Sequence, residues 1–348
     1  MKATGHVPEA ATDGTRDDGT SEEQSTAYRA LHSSAAVVLL PRDVVRVSGP
    51  DAATYLQGQC SQDVSALRVG GSLESLLLSP QGKVEVYLRI TREADDRFVL
   101  DTDGGFGSVM VTRLERFRLR TEVAFEPLDW VCAAVRGPAA TDALVGQPAF
   151  TLPVAWAGLG GVDLLGPLPS GGIDAWVTDA AARCPLGVWE AVRIEAGLPV
   201  NGRELNEGTI AAEVGLVDRT VSFTKGCFTG QELVARLDSR GSKVARHLRG
   251  VVLADDPVVA ARDSTGPPRS LDALSSLAGS AVLTADGEHE VGHLSSVAWS
   301  PGFLRVVALA TLHRRVEPPE EVLVVMDGAS GESRQLPAEV RRLPLELP

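Results

Sequence analysis

The densest chemical constellation in the sequence is Lys225-Gly226-Cys227-Phe228-Thr229-Gly230-Gln231-Glu232, followed by Leu233-Val234-Ala235-Arg236. Its centre is a thiol with Gly226 and Gly230 on either side, and glycine lets a ligand or another stretch of backbone come close. Thr229 stands three positions ahead of Glu232 and just before an apolar pair, the pattern of a capping box that opens a helix. A cysteine just ahead of a helix N-terminus, with the Lys225 ammonium nearby, is biased toward the nucleophilic thiolate. The competing reading is that Cys227 is a small buried hydrophobe, as free cysteines usually are. Cys60, Cys132 and Cys184 lack the setting and read as structural.

Trp189 and Glu195 form a second candidate, six positions apart in the segment VWEAVRIEA. An aromatic face and a carboxylate are what a pterin-like ring needs, stacking on one side and acceptance from its amino and ring N–H groups. Six residues apart on a helix, the two converge only if a cleft runs along it. Otherwise they are a core tryptophan and a surface glutamate. Asn201-Gly202-Arg203-Glu204 follows closely. A basic stretch (Arg236, Arg240, Lys243, Arg246, Arg249) could hold the carboxylates of an anionic ligand, or be a solvated face.

The elements that must position these groups are legible in outline. Ala36–Leu40 and Val44–Val47 read as strands parted by Pro41, and a short helix through Tyr55 and Leu56 starts at Ser48 or Asp51. Strands at 73–79 and 84–91 form a hairpin about Pro80-Gln81-Gly82, and Arg97–Leu100 adds another. Val109–Leu119 reads as an amphipathic helix whose Arg113, Arg116 and Arg118, with Arg120 beyond, make a solvated basic face. Strands are expected at 121–125 and 130–136, a helix at 138–144, and loops with one or two short strands through the Gly- and Pro-rich 146–172. Val188–Ala196 is a helix stopped by Gly197 and Pro199. Beyond Lys243 the runs at 248–253, 280–283, 291–299, 304–312 and 321–325 read as antiparallel strands.

The chain's 348 residues imply about two domains, residues 36–244 and an all-β unit over 245–348. Thirty-three Lys+Arg against 46 Asp+Glu give a net charge of −13, which disfavours broad nucleic-acid coating. Scattered cysteines argue for a reducing compartment and against a disulfide scaffold or structural zinc. No apolar run is long enough to span a bilayer, and the acidic start has neither a secretory nor a mitochondrial leader pattern, so the cytoplasm is the expected location. Residues 1–35 read as a disordered tail.

KGCFTGQELVAR at 225–236 closely resembles the K-G-C-Y-T-G-Q-E motif of the YgfZ family, folate-binding relatives of the glycine cleavage T-protein, with Phe228 in place of tyrosine. Agreement extends to SGPDAATYLQGQCSQDV at 48–64, PQGKVEVYLRI at 80–90, WEAVRIEAGLPV at 189–200 and the closing stretch 291–315, so the resemblance covers about residues 36–330. It implies an α+β, T-protein-like cloverleaf of ferredoxin-like subdomains with a C-terminal antiparallel β-barrel, monomeric, with tetrahydrofolate near its centre. Carried over, Cys227 is the functional thiol, with Lys225 beside it. Trp189, Arg193, Glu195, Gly226, Thr229, Gly230, Gln231, Glu232 and Arg236 are the folate-binding positions. The implied role is support of iron–sulfur cluster assembly or repair, and of iron–sulfur-dependent tRNA modification, with iron–sulfur enzymes or their assembly machinery as partners and no resident metal. The alternative is a divergent folate-dependent aminomethyltransferase. Two departures stand out. Arg42 occupies the place of a tryptophan that accompanies folate in some members. At 84–88 the T-protein's Asp-Asp pair is absent, and Glu85 lies one position out, on the opposite strand face.

Overall fold

The computed structural model describes residues 21–239, 243–254, 274, 276–327 and 333–347. In chain order the elements are α1 (Ser21–Ser33), β1 (Ala36–Leu40), β2 (Arg42–Ser48), α2 (Ala52–Gln59), β3 (Ser72–Leu78), β4 (Val84–Ala94), β5 (Arg97–Asp103) and α3 (Gly107–Arg116). Then come β6 (Ala124–Leu128), β7 (Val131–Arg136), β8 (Phe150–Val154), β9 (Gly161–Gly166), β10 (Ala182–Arg183), α4 (Leu186–Ala196), α5 (Val217–Thr220) and α6 (Gln231–Ser239). The last six strands are β11 (Arg246–Leu253), β12 (Ala281–Thr284), β13 (Glu290–Ser300), β14 (Arg305–His313), β15 (Glu320–Asp327) and β16 (Ser333–Arg341).

Pro41 has no N–H for a ladder, and it marks where the chain changes sheets. β2 enters a five-stranded sheet ordered β3-β4-β5-β2-β6, and β1 enters another ordered β10-β1-β7-β9-β8. The first buries Val45, Val47, Ile90, Phe98 and Leu100 against Leu56 of α2 and Met110 and Leu114 of α3. One face of the second sheet carries Val37, Ala133, Val135 and Leu164, and the other carries Val38 and Ala134 under α1 and α4. The last six strands close into an antiparallel barrel, β11-β14-β13-β12-β15-β16, sealed by β16 pairing with β11. Period-two alternation sorts β14: Val306, Ala308, Ala310 and Leu312 fill the barrel, whereas Val307 and Leu309 pack outward toward Ala191 and Ile194 of α4. Among the described residues no helix is long and apolar enough to cross a membrane.

An ionic seam joins the two sheets. Arg89 on β4 bonds Asp101 on β5 at 2.9 Å and Asp163 on β9 at 2.5 Å, and Arg136 on β7 meets Asp163 at 2.5 Å. Arg42 adds contacts to Asp101 and Asp103 at 2.6 and 2.9 Å. Burial alone would raise the Asp163 carboxyl, yet Arg136 and Arg89 hold it down at about 2.

Several expectations need correction. Residues 21–33, placed in a disordered tail, form α1, because Ala27, Tyr28, Ala30 and Leu31 bury one face against α4 and the second sheet. Residues 1–20 lie outside the described residues. The stretch 138–144 folds as turns rather than a helix. Arg113 is not on a solvated face: it is 5% exposed, pairs with Glu85, and donates to Gln59 at 3.1 Å and the Leu78 carbonyl at 2.8 Å.

Candidate functional site

The 225–236 segment is built as a chain-to-chain junction. Gly230 has φ +82, and a Cβ there would fall 2.4 Å from the Ser79 carbonyl oxygen and 2.8 Å from Leu78 Cβ. Reciprocally, a Cβ on Gly82 would lie 2.6 Å from Leu233 Cβ. The two glycines therefore let the hairpin turn and the KGCFTGQE loop close on each other, so Gly230 serves a protein contact rather than a ligand. Gly226 has no atom within 4 Å of such a position. Lys225 does not aim its charge at the thiol. Its Nζ donates to the carbonyls of Gln57 and Cys60 at 2.6 Å and of Gln62 at 3.0 Å, gathering carbonyls of the last turn of α2 and of the chain just beyond it. Burial lowers the pKa of this ammonium.

Among the described residues, the expected capping box between Thr229 and Glu232 is not formed. α6 begins at Gln231, whose Oε1 accepts from the Phe228 N–H at 3.2 Å, while the Thr229 N–H donates to the Gly58 carbonyl at 3.2 Å. Glu232 and Arg236 form an exposed pair at 2.5 Å. Phe228 is half-buried against the apolar cluster that includes Leu76 and Val84. Cys227 alone of the four cysteines is exposed, and burial pushes the thiols of Cys60, Cys132 and Cys184 up to about 12.

Helix α4 presents the second candidate set to the interior. Trp189 is 7% exposed, packed among Ala27, Tyr28 and Leu31 of α1, with the Arg136 guanidinium 5.5 Å from its ring. Glu195 accepts from the Tyr28 hydroxyl at 2.8 Å and from Ser300 Oγ at 2.5 Å. Burial raises its pKa, partly offset by those two bonds. Arg193 is equally engaged, donating to Glu190, the Leu198 carbonyl at 2.6 Å and Ser296 Oγ at 2.7 Å. Trp189, Arg193 and Glu195 are therefore interior groups beneath α1 and the barrel, and the structure does not bring them together with Cys227 around one open space.

An open space lies instead just past Glu195, against the C-terminus of α4. A cavity of about 730 Å³ is lined by Trp156, by Ala196 and Gly197 at the C-terminus of α4, by Glu213 to Gly215, by Arg219 of α5, and on the barrel side by His247, Arg249, Arg314, Glu317 and Arg342. That volume is in the range of small-molecule sites. The Arg219 guanidinium stacks over the Trp156 ring at 4.2 Å and is held there by Glu74 at 2.7 Å and the Ala155 carbonyl at 3.0 Å. Arg249 Nε is buried without a hydrogen-bond partner. Burial, and then the neighbouring Arg342 charge, lower the pKa of Arg249. The cavity thus has an aromatic wall, one carboxylate wall at Glu213 and a strongly cationic wall.

The GCVT N-terminal domain family matches residues 39–149. The tRNA-modifying protein YgfZ of Klebsiella pneumoniae is 32% identical across 56% of this chain and 65% of its own length. The chain thus aligns with just under two thirds of that relative. The aminomethyltransferase of Corynebacterium jeikeium is 23% identical across 85% of the chain and 81% of its own. The similarity is thus to the YgfZ proteins on one side and to the aminomethyltransferases on the other. The glycine cleavage system aminomethyltransferase T from Bartonella henselae superposes with a TM-score of 0.71 over 92% of this chain and 89% of that one at 21% identity, a likeness of fold.

Nothing in the local sequence patterns singles out Trp156, Glu213, Arg219, Arg314 or Arg342. Trp156 sits in the Gly/Pro-rich stretch read as loops, and the arginines are scattered over the chain with no shared spacing. Arg249 alone was flagged, as one of a basic run.

Proposed function

We propose that this YgfZ-like protein binds a tetrahydrofolate in the 730 Å³ cavity. The observation that carries the reading is the cavity's chemistry. The Trp156–Arg219 stack offers a flat surface for a ring to lie against, Glu213 a carboxylate to accept from a pterin's amino and ring N–H groups, and the other arginines a counter-charge for the glutamate carboxylates. The C-terminus of α4, where the RIEAG stretch ends, forms part of the wall. The residues around the cavity fit such a ligand better than Trp189 and Glu195, which are engaged with α1. Bound folate supplies a one-carbon carrier. Trp156 and Glu213 hold its ring, and Arg249 holds its acidic end.

The biological role that fits is support of iron–sulfur enzymes, including those that modify tRNA, with the exposed Cys227 as the thiol that engages a client. Aminomethyl transfer is the weaker reading: the hairpin's carboxylate, Glu85, is paired with Arg113 and faces away from the position the T-protein chemistry would use.

The test is a fluorescence titration with tetrahydrofolate. Trp156→Ala is expected to weaken binding by roughly tenfold or more, on the scale of a lost stacking contact. Trp189→Phe should stay within about threefold, since that ring packs against α1 and does not line the cavity. Affinity no better than millimolar in the wild type would refute the folate reading. For the thiol, Cys227 should alkylate near pH 7 while the three buried cysteines wait for denaturant. Cys227→Ser should fail to replace YgfZ in a bacterium lacking its own, with folate affinity intact.

A further inference from the structure

The barrel-side wall of the cavity is an accumulation of like charge in a chain whose net charge is −13. Arg249 leaves β11 facing the cavity, and Arg314 and Arg342 follow the ends of β14 and β16 at its rim. Among the described residues Arg314 and Arg342 make no side-chain hydrogen bond or ion pair. Arg249 donates from Nη1 only to the adjoining Leu248 carbonyl, at 3.1 Å, and its Nε has no partner. Glu317 is the one acid on this wall. Exposure rises along the row: Arg249 is half-buried, whereas Arg314 and Arg342 are exposed. Three guanidinium groups so placed repel one another, and an anion with several carboxylates relieves that repulsion better than one with few.

We infer that this wall is a subsite for an oligo-γ-glutamyl chain on the folate. The inference rests on the folate reading of the cavity and goes further, to the form of the ligand. A monoglutamate carries two carboxylates, and every added γ-linked residue brings one more. The first carboxylates meet Arg249 inside the cavity, and the chain then runs outward past Arg314 and Arg342, which take later carboxylates in bidentate pairs. The arginines' increasing exposure marks the direction of the track, from the ring at Trp156 to the solvent.

The experiment compares tetrahydrofolate mono-, tri- and pentaglutamate by titration at low and high salt. The pentaglutamate is expected to bind about tenfold more tightly than the monoglutamate at low salt, with the advantage shrinking at high salt. In the double variant Arg314→Ala/Arg342→Ala the penta-to-mono ratio should fall below about threefold, whereas Arg97→Ala, which removes a charge from the first sheet, should leave it unchanged. Both substituted arginines are exposed, so the melting temperature is expected to hold and serves as the check on folding. Equal affinity for the two forms overturns the inference while leaving the folate reading intact, and a double variant with the full ratio overturns it equally. Failure of every form to bind removes both.

Discussion

Two groups of arginines in this molecule stand in opposite electrostatic states. In the seam between the sheets, Arg42, Arg89 and Arg136 are matched by Asp101, Asp103 and Asp163 at 2.5 to 2.9 Å. On the cavity wall, Arg249, Arg314 and Arg342 share a single nearby acid; a buried Nε without an acceptor occurs in both groups, at Arg136 and at Arg249, so it is the missing carboxylates that set the wall apart. The difference separates structure from function without any appeal to family. A compensated buried charge is held by the fold and in turn holds it. An uncompensated cluster at the rim of a cavity contributes little to the fold and is available to a ligand.

The sharpest way to break the comparison is Asp163→Asn, which takes the only carboxylate from Arg136 and leaves Arg89 with Asp101 alone. It should destabilise the protein by about 3–5 kcal/mol, measured by denaturant unfolding. A loss under about 1 kcal/mol would mean the seam is as dispensable as the wall. Acid should reveal the same group. The Asp163 carboxyl lies near 2 in the folded protein, below its ordinary 3.8. Its contribution is fully present above the ordinary value and is lost as pH falls from about 4 toward 2, roughly 2 kcal/mol in all. That loss should vanish from the pH profile of Asp163→Asn. Tyr28→Phe removes one of the two hydroxyls that Glu195 accepts from, and is expected to cost about 1–2 kcal/mol. At the small end, Arg314→Ala and Arg342→Ala should each shift stability by no more than about 0.5 kcal/mol, with a slight gain more in keeping with their mutual repulsion than a loss.

How much of this was legible depended on range in sequence. β1 to β5, β7 and five of the six barrel strands follow from short β-branched or alternating runs, and α4 from Gly197 and Pro199 as punctuation. β6 lies three residues later than expected, β8 and β9 were legible only as one or two short strands among loops, and the two-residue β10 was not legible. β16 (SRQLPAEVR) escaped because Pro337 and the charged residues blur its alternation, and only its pairing with β11 and β15 makes it a strand. α1 escaped because its composition is polar, and its order comes from burying a few small residues and Tyr28 against α4, a partner far along the chain. At the site, local rules found the KGCFTGQE loop and misjudged what its groups face. The charge of Lys225 goes to three carbonyls of the 57–62 stretch, and Gly230 answers to the 79–82 turn. The cavity could not be read at all, since its lining comes from β-barrel, α4, α5 and the 156–157 loop at once.

The Tyr28–Glu195–Ser300 connection also has a meaning for biosynthesis. Tyr28 finds its carboxylate partner 167 residues later, and that carboxylate finds Ser300 a further 105 residues on. A Cβ on Gly302 would sit 2.1 Å from the Tyr28 hydroxyl, so the turn after β13 is shaped around this ring. The Leu345 N–H closes the same spot by donating to the Glu195 carbonyl at 2.7 Å. A ribosome therefore releases α1 among the first segments and its docking place among the last. At about 5–20 residues per second, α1 waits tens of seconds without its full set of partners. A nascent chain stalled short of the barrel would carry an unlatched N-terminal helix, which makes the Tyr28 environment a reporter of completed synthesis.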